Sequence, residues 1–159
     1  MNSIYLSLGS NMDLPERQLQ KAQEQVSRRI GAVVRRSSIY RTAAWGKTDQ
    51  PDFLNQVLLV RSAMPATEVM QALLDIEQKM GRVRTEKNAP RVIDIDILFF
   101  NHDIIKESNL QVPHPHIQDR RFVLVPLSEL SPQFCHPVLE KSIHRLLLEC
   151  PDTLNVKKF

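Results

Sequence analysis

Polar and apolar positions alternate at the start of the chain. Ile4, Leu6 and Leu8 are separated by Tyr5 and Ser7, which predicts a strand over residues 4–8. Gly9-Ser10-Asn11 then reads as a tight turn. From about Leu14 to Arg29 the period changes to that of a helix. Leu19, Ala22, Val26 and Ile30 form its apolar stripe, and Gly31 stands where it should stop. Val33 to Tyr40 and Phe53 to Arg61 read as strands, joined by a polar loop over Thr42 to Asp52. Pro65 opens a second helix with Val69, Leu73, Ile76 and Met80 on its buried face, closed by Gly81. A second polar loop, Arg82 to Pro90, leads into a strand over Ile93 to Phe100. Asn101-His102-Asp103 is expected to turn that strand into a hairpin with Ile104-Ile105. Val112 to Pro137 reads as irregular, with Phe122-Val123-Leu124-Val125 buried, and Ser142 to Glu149 as a short helix.

The order strand, helix, strand, strand, helix, strand predicts an α+β fold with a ferredoxin-like βαββαβ core. Its mostly antiparallel sheet would be covered by two helices and followed by a C-terminal extension. The 159 residues suit one domain spanning 1–159. An apolar share of 42% and a charged share of 25% are those of a globular protein, not of a disordered one. No apolar run nears the ~20 residues needed to span a bilayer, and the N-terminus lacks a signal-peptide pattern, so a cytoplasmic protein is expected. Cys135 and Cys150 are read as free buried thiols. A net charge of +3 suits an anionic ligand without requiring one.

The sharpest chemical feature is Pro90-Arg91-Val92-Ile93-Asp94-Ile95-Asp96-Ile97-Leu98. On a strand, Asp94 and Asp96 project to one side and Ile93, Ile95 and Ile97 to the other. Their Cα atoms would lie ~6.6 Å apart, a spacing that suits two cations in phosphoryl chemistry. A bare Asp-x-Asp is more often a wet face of an edge strand. Arg82, Arg84 and Arg91 bracket the preceding loop, and guanidinium forks grip phosphate oxygens. Without the aspartates they would read as a solvated basic loop. Val112-Pro113-His114-Pro115-His116, with Arg120-Arg121-Phe122 after it, holds its histidines rigidly, either for a ligand or as an ordinary turn. In Gln50-Pro51-Asp52-Phe53-Leu54-Asn55, Phe53 suits stacking on a flat ring or burial in the core, and Asn55 suits reading a ring edge.

In order along the chain, these clusters resemble the 6-hydroxymethyl-7,8-dihydropterin pyrophosphokinases. The resemblance runs from Leu8-Gly9-Ser10-Asn11 through Ser38-Ile39-Tyr40-Arg41-Thr42 and Asp49 to Asn55. It continues through Ile76-Glu77, Gly81-Arg82-Val83-Arg84, the aspartate strand and Val112-Pro113-His114-Pro115, and fades after about Leu130. It implies transfer of the terminal diphosphate of ATP to the pterin hydroxymethyl group, with release of AMP, in folate biosynthesis. It implies that Asp94 and Asp96 bind two Mg2+ ions. Arg82, Arg91, His114 and Arg120 would contact ATP phosphates, Arg84 would gate loop movement, and Glu77 would lie at the nucleotide site. Ile97, Asn109 and Gln111 would fall near the adenine. Phe53 and Phe122 would sandwich the pterin, with Thr42, Ala43, Ala44, Trp45, Asn55 and Asp94 along its edge. Arg82, Arg91, Asp94 and Asp96 form the catalytic set. The expected partners are the two small substrates, with no nucleic acid and no membrane, and the expected state is a monomer. The chain departs from the family pattern at Lys87-Asn88-Ala89, where many members carry a tryptophan, and at Ala43, where proline is usual. Two other readings remain: a ferredoxin-like RNA-binding module, and a pterin- or nucleotide-binding homologue with little turnover. The first is disfavoured by the 6% aromatic content and the lack of an aromatic strand motif.

Overall fold

The structure is a computed structural model that describes residues 1–43, 50–81 and 92–159. Among the described residues, eight strands and four α-helices follow one another. They are β1 (Asn2–Ser10), α1 (Pro15–Arg29), β2 (Ala32–Arg36), β3 (Tyr40–Thr42), β4 (Phe53–Ser62), α2 (Ala66–Lys79) and β5 (Asp94–Phe100). Then come β6 (Ile105–Glu107), β7 (Leu110–Val112), α3 (Arg121–Leu130), α4 (Ile143–Glu149) and β8 (Val156–Lys158). The main sheet runs β5-β1-β4-β3-β8, with β2 also paired to β4, and every pairing is antiparallel. The α+β, ferredoxin-like core is therefore the observed one.

Strand alternation builds two different faces. Ile4, Leu6 and Leu8 of β1 and Ile95 and Ile97 of β5 face α1 and α2, and join Leu19, Val26, Val69, Leu73 and Ile76 in one apolar cluster. Tyr5, Val57, Leu98 and Phe99 face the other way and meet Val123, Leu124 and Leu127 of α3 and Ile143 and Leu146 of α4. Helix α1 carries Pro15 in its first turn and Arg28 and Arg29 in its last, the arrangement that suits the helix dipole. Gly31 does not end it by a left-handed turn. A Cβ there would stand 2.1 Å from the Arg61 carbonyl oxygen, so the glycine permits close backbone approach to β4. Gly81, at φ 94°, does supply the left-handed turn after α2.

Four expectations need correction. The strand predicted over Val33 to Tyr40 is two strands, because Ser37 leaves the ladder and bonds Val57 through both its N–H and its hydroxyl. The hairpin is formed by β6 with β7, a separate ribbon, and not by β5 with Ile104-Ile105. The stretch read as irregular contains α3, which tolerates Pro126 by forgoing the one bond that residue would have donated to the Phe122 carbonyl. Cys135 and Cys150 are free, but Cys135 is exposed and Cys150 half-buried. Strand β8 has too little apolar content to have been expected. Among the described residues no helix is long and apolar enough to cross a membrane.

Candidate active site

The face covered by α3 is not covered completely. Beyond the Tyr5–Phe99 packing it opens into a cleft of about 730 Å3 including its mouth. Sheet register explains the opening. In the row nearest the open end, Asn55 of β4 and Asp94 of β5 flank Gly9 of β1. In the next row, Val57 and Asp96 flank Ser7. The central strand thus presents Tyr5, then Ser7, then Gly9 to this side, and the shrinking side chains leave a floor. Phe53 and Thr42 line one wall, and Ile117, Arg120, Phe122 and Val123 line the other, with His114 beside Asp94 and Asp96.

The two aspartates project into the cleft and are half-buried, while Ile93, Ile95 and Ile97 are buried on the opposite face. The strand that carries them is pinned between them: the Ile95 N–H donates to Glu77 Oε2 at 2.7 Å. Glu77, only 3% exposed, sits behind the strand and does not line the cleft. Further along, the His114 N–H donates to the Leu98 carbonyl at 3.0 Å, which places the histidine at the end of the aspartate strand. Its Nδ1 accepts the His116 N–H at 3.1 Å. Burial, followed by the positive charge of Arg120 and the nearby His116, lowers its pKa to about 4 against the pull of Asp94. At neutral pH it is an uncharged imidazole with Nε2–H as its donor.

Asn55 is 4% exposed, and its Nδ2 donates to Thr42 Oγ1 at 2.7 Å. That bond leaves Oδ1 toward Gly9 and the cleft. Phe53 and Phe122, one on each wall, are both half-buried, as aromatics waiting for a flat ligand would be. Arg120 Cζ lies 5.9 Å from the Phe122 ring centroid. Phe122 sits in the first turn of α3, and the far end of that helix is tied down. Glu129 accepts from Tyr40 Oη at 2.6 Å and from the Ser38 N–H at 3.1 Å, and Arg35 donates to the Leu130 carbonyl at 2.6 Å. Burial opposes the charge of Glu129, but the bonds from Tyr40 and Ser38, with Lys158 nearby, hold its carboxyl below the usual range.

Thr42, Ala43, Phe53, Asn55, Asp94, Asp96, His114, Arg120 and Phe122 are thus brought together in one cleft. Ile97 is buried on the α1/α2 face, and Asn109 and Gln111 are exposed on the β6–β7 ribbon, so none of these three lines it. Ala44, Trp45, Arg82, Arg84 and Arg91 lie outside the described residues, as do most of the two polar loops. Ser7, Gly9, Leu98, Ile117 and Val123 also line the cleft without having been singled out as a set. Gly9, read as part of a tight turn, is a strand residue in the middle of the floor. The register with Asn55 and Asp94 was the signal, and it needs the pairing partners to be known. Among the described residues no three His, Cys, Asp or Glu side chains enclose a metal position. A cation at Asp94 and Asp96 would complete its shell with water and phosphate oxygens, which suits a hard ion.

Comparison with known proteins identifies the family. The family model "7,8-dihydro-6-hydroxymethylpterin-pyrophosphokinase (HPPK)" matches residues 5–132. The chain belongs to this family. Its activity is ATP-dependent pyrophosphoryl transfer to hydroxymethyldihydropterin, a step of folate biosynthesis. A 2-amino-4-hydroxy-6-hydroxymethyldihydropteridine pyrophosphokinase of Synechocystis sp. is 39% identical over 143 residues, covering 89% of this chain and 73% of the relative. The protein of the same name from Methylorubrum extorquens is 40% identical over 133 residues, covering 83% of this chain and 84% of its own. In a crystal structure of wild-type Plasmodium falciparum HPPK-DHPS with pteroate, the fold matches at a TM-score of 0.75 and 17% identity. That match covers 93% of this chain, which spans 42% of the longer protein. The RNA-binding alternative is set aside by this membership.

Proposed function

We propose that the transfer takes place in this cleft, with the pterin held between Phe53 and Phe122 and the triphosphate of ATP laid over Asp94 and Asp96. The observation that carries the proposal is the shared face. Two carboxylates, an oriented amide and two facing phenylalanines line one opening, while the alternate residues of the same strands are sealed in the core. The ring stacks on the aromatic walls, and its edge meets the Asn55 carbonyl oxygen, Thr42 and the backbone at Ala43, with Ala44 and Trp45 continuing that edge. Asp94 lies at the far end of the same row, near the hydroxymethyl group.

The hydroxyl oxygen attacks the β-phosphorus of ATP. The bond from that phosphorus to the bridging oxygen of the α-phosphate breaks, AMP departs with the electron pair, and the hydroxyl proton passes to water. Asp94 and Asp96 would hold two Mg2+ ions, which would screen phosphate charge and polarise the β-phosphoryl group. His114 donates Nε2–H to a phosphate oxygen without adding a titrating charge in the working range. Arg120, Arg82 and Arg91 neutralise charge that develops on the leaving AMP, and Arg84 gates the loop. Glu77 acts on the nucleotide side of the site, by holding the Ile95 amide and so the pitch of both aspartates. Asn109 and Gln111 border the adenine from the exposed β6–β7 ribbon, outside the cleft, whereas the Ile97 side chain, sealed in the core, does not. Closure of the loops at residues 43–52 and 82–91 excludes water that would otherwise hydrolyse ATP. The working unit is a monomer in the cytoplasm, and one chain supplies both described walls of the cleft.

The test is AMP formation by purified protein given ATP, magnesium and 6-hydroxymethyl-7,8-dihydropterin. AMP should appear only when the pterin is present. Nucleotide and pterin binding without pterin-dependent AMP would replace this reading with the binding-protein alternative.

A further inference from the structure

The floor of the cleft has one position with no side chain, Gly9. Its backbone φ is not in the left-handed region, and the residue lies inside β1, so no turn demands glycine there. Glycine in a strand interior is destabilising relative to alanine, so the position has a reason elsewhere. A Cβ built on Gly9 would stand 3.0 Å from Asn55 Oδ1, with Phe53 Cδ1 at 3.9 Å and the Leu54 carbonyl at 4.0 Å. The first contact is tighter than carbon and oxygen accept without movement, and the other two are ordinary. Asn55 cannot yield freely. It is buried, its neighbours in register are fixed, and its Nδ2 is bonded to Thr42 Oγ1 at 2.7 Å.

We infer that Gly9 is a specificity-determining residue that acts through Asn55, leaving room for its amide to lie across the central strand with Oδ1 toward the bound ring. Asn55 and Asp94 sit on the strands either side of β1, and adjacent strands are ~4.8 Å apart. Their backbones are therefore roughly 10 Å apart, with Gly9 midway, and the gap is a slot for a flat bicyclic heterocycle that donates a hydrogen bond at the Asn55 end. A methyl group at Gly9 rotates the amide, loosens the Thr42 bond and withdraws the acceptor. The nucleotide, held by aspartates, histidine and arginine, is untouched. This inference rests on the reading that Asn55 contacts the pterin.

The test compares Gly9→Ala, Asn55→Ala and the double variant. Pterin binding is measured calorimetrically beside an unreactive ATP analogue, analogue binding is measured alone, and Tm is recorded. Gly9→Ala should weaken the pterin by about tenfold or more, a shift near 1.4 kcal/mol, and leave the analogue within about twofold. In the Asn55→Ala background the same substitution should cost little further, because the group it displaces is gone. Tm should hold or rise. If it falls in the single variant, it should recover in the double. Equal weakening of both ligands, full additivity, or a loss of Tm that the double variant fails to restore would overturn the role of Gly9. Should Asn55→Ala leave pterin binding unchanged, the contact underneath the inference would itself be wrong.

Discussion

The two faces of the sheet come from the same strands yet do opposite things. Toward α1 and α2, Ile4, Leu6 and Leu8 of β1 and Ile95 and Ile97 of β5 are large aliphatic side chains, and the cluster is closed. Toward α3 and α4, the same strands carry Tyr5, Ser7, Gly9, Asp94 and Asp96, and the closed packing gives out halfway along. One face supplies rigidity, and the other spends it on a slot whose floor, walls and charges are fixed by register. Single substitutions should therefore separate cleanly, with losses of chemistry from one side and losses of stability from the other.

The largest contrast should come from Asp94→Ala and Asp96→Ala. Each is expected to cut turnover by about 10³-fold or more with little change in Tm, and near-normal rates in both would remove them from the metal role. Leu6→Ala, at a side chain with no exposure in the sealed cluster, should cost about 3 kcal/mol in denaturant unfolding while the remaining folded enzyme keeps its KM for both substrates. Phe53→Ala should weaken the pterin by about 100-fold and ATP far less, by analogy with a lost stacking and burial contact. Equal effects would put Phe53 with the core.

The pH response sharpens the comparison further. His114 has a folded pKa of about 4, below its ordinary 6.5. Its contribution to stability is complete above pH 6.5 and is lost as pH falls toward 4, amounting to about 3 kcal/mol. His114→Gln should flatten the pH–stability curve over that interval, and a curve of unchanged shape would rule the histidine out as its source. The smallest effect expected is that of Glu129→Gln, about 1 kcal/mol. It should show as looser pterin binding, since the tie at one end of α3 sets the place of Phe122 at the other.

Much of this was legible in the chain. The alternation around Asp94 and Asp96 put both carboxylates on one side, because a strand's period of two leaves no other choice. The βαββαβ order followed from helical and strand periods that do not overlap. Three things were hidden, each for a physical reason. Pro126 masked α3, since a proline reads as a helix breaker even where one lost bond is tolerated. Ser37 broke a strand by bonding backbone across the sheet, which no local pattern signals. Gly9 looked like a turn residue because its neighbour in space, Asn55, lies 46 positions away in sequence.

The central claim is that two carboxylates on one strand face grip divalent ions against a triphosphate. Its most direct test is calorimetric binding of an unreactive ATP analogue across a magnesium titration, in the native protein and in the Asp94→Asn/Asp96→Asn double variant. The account predicts affinity that climbs with magnesium in the first and stays nearly flat in the second. An identical magnesium dependence in both would contradict it.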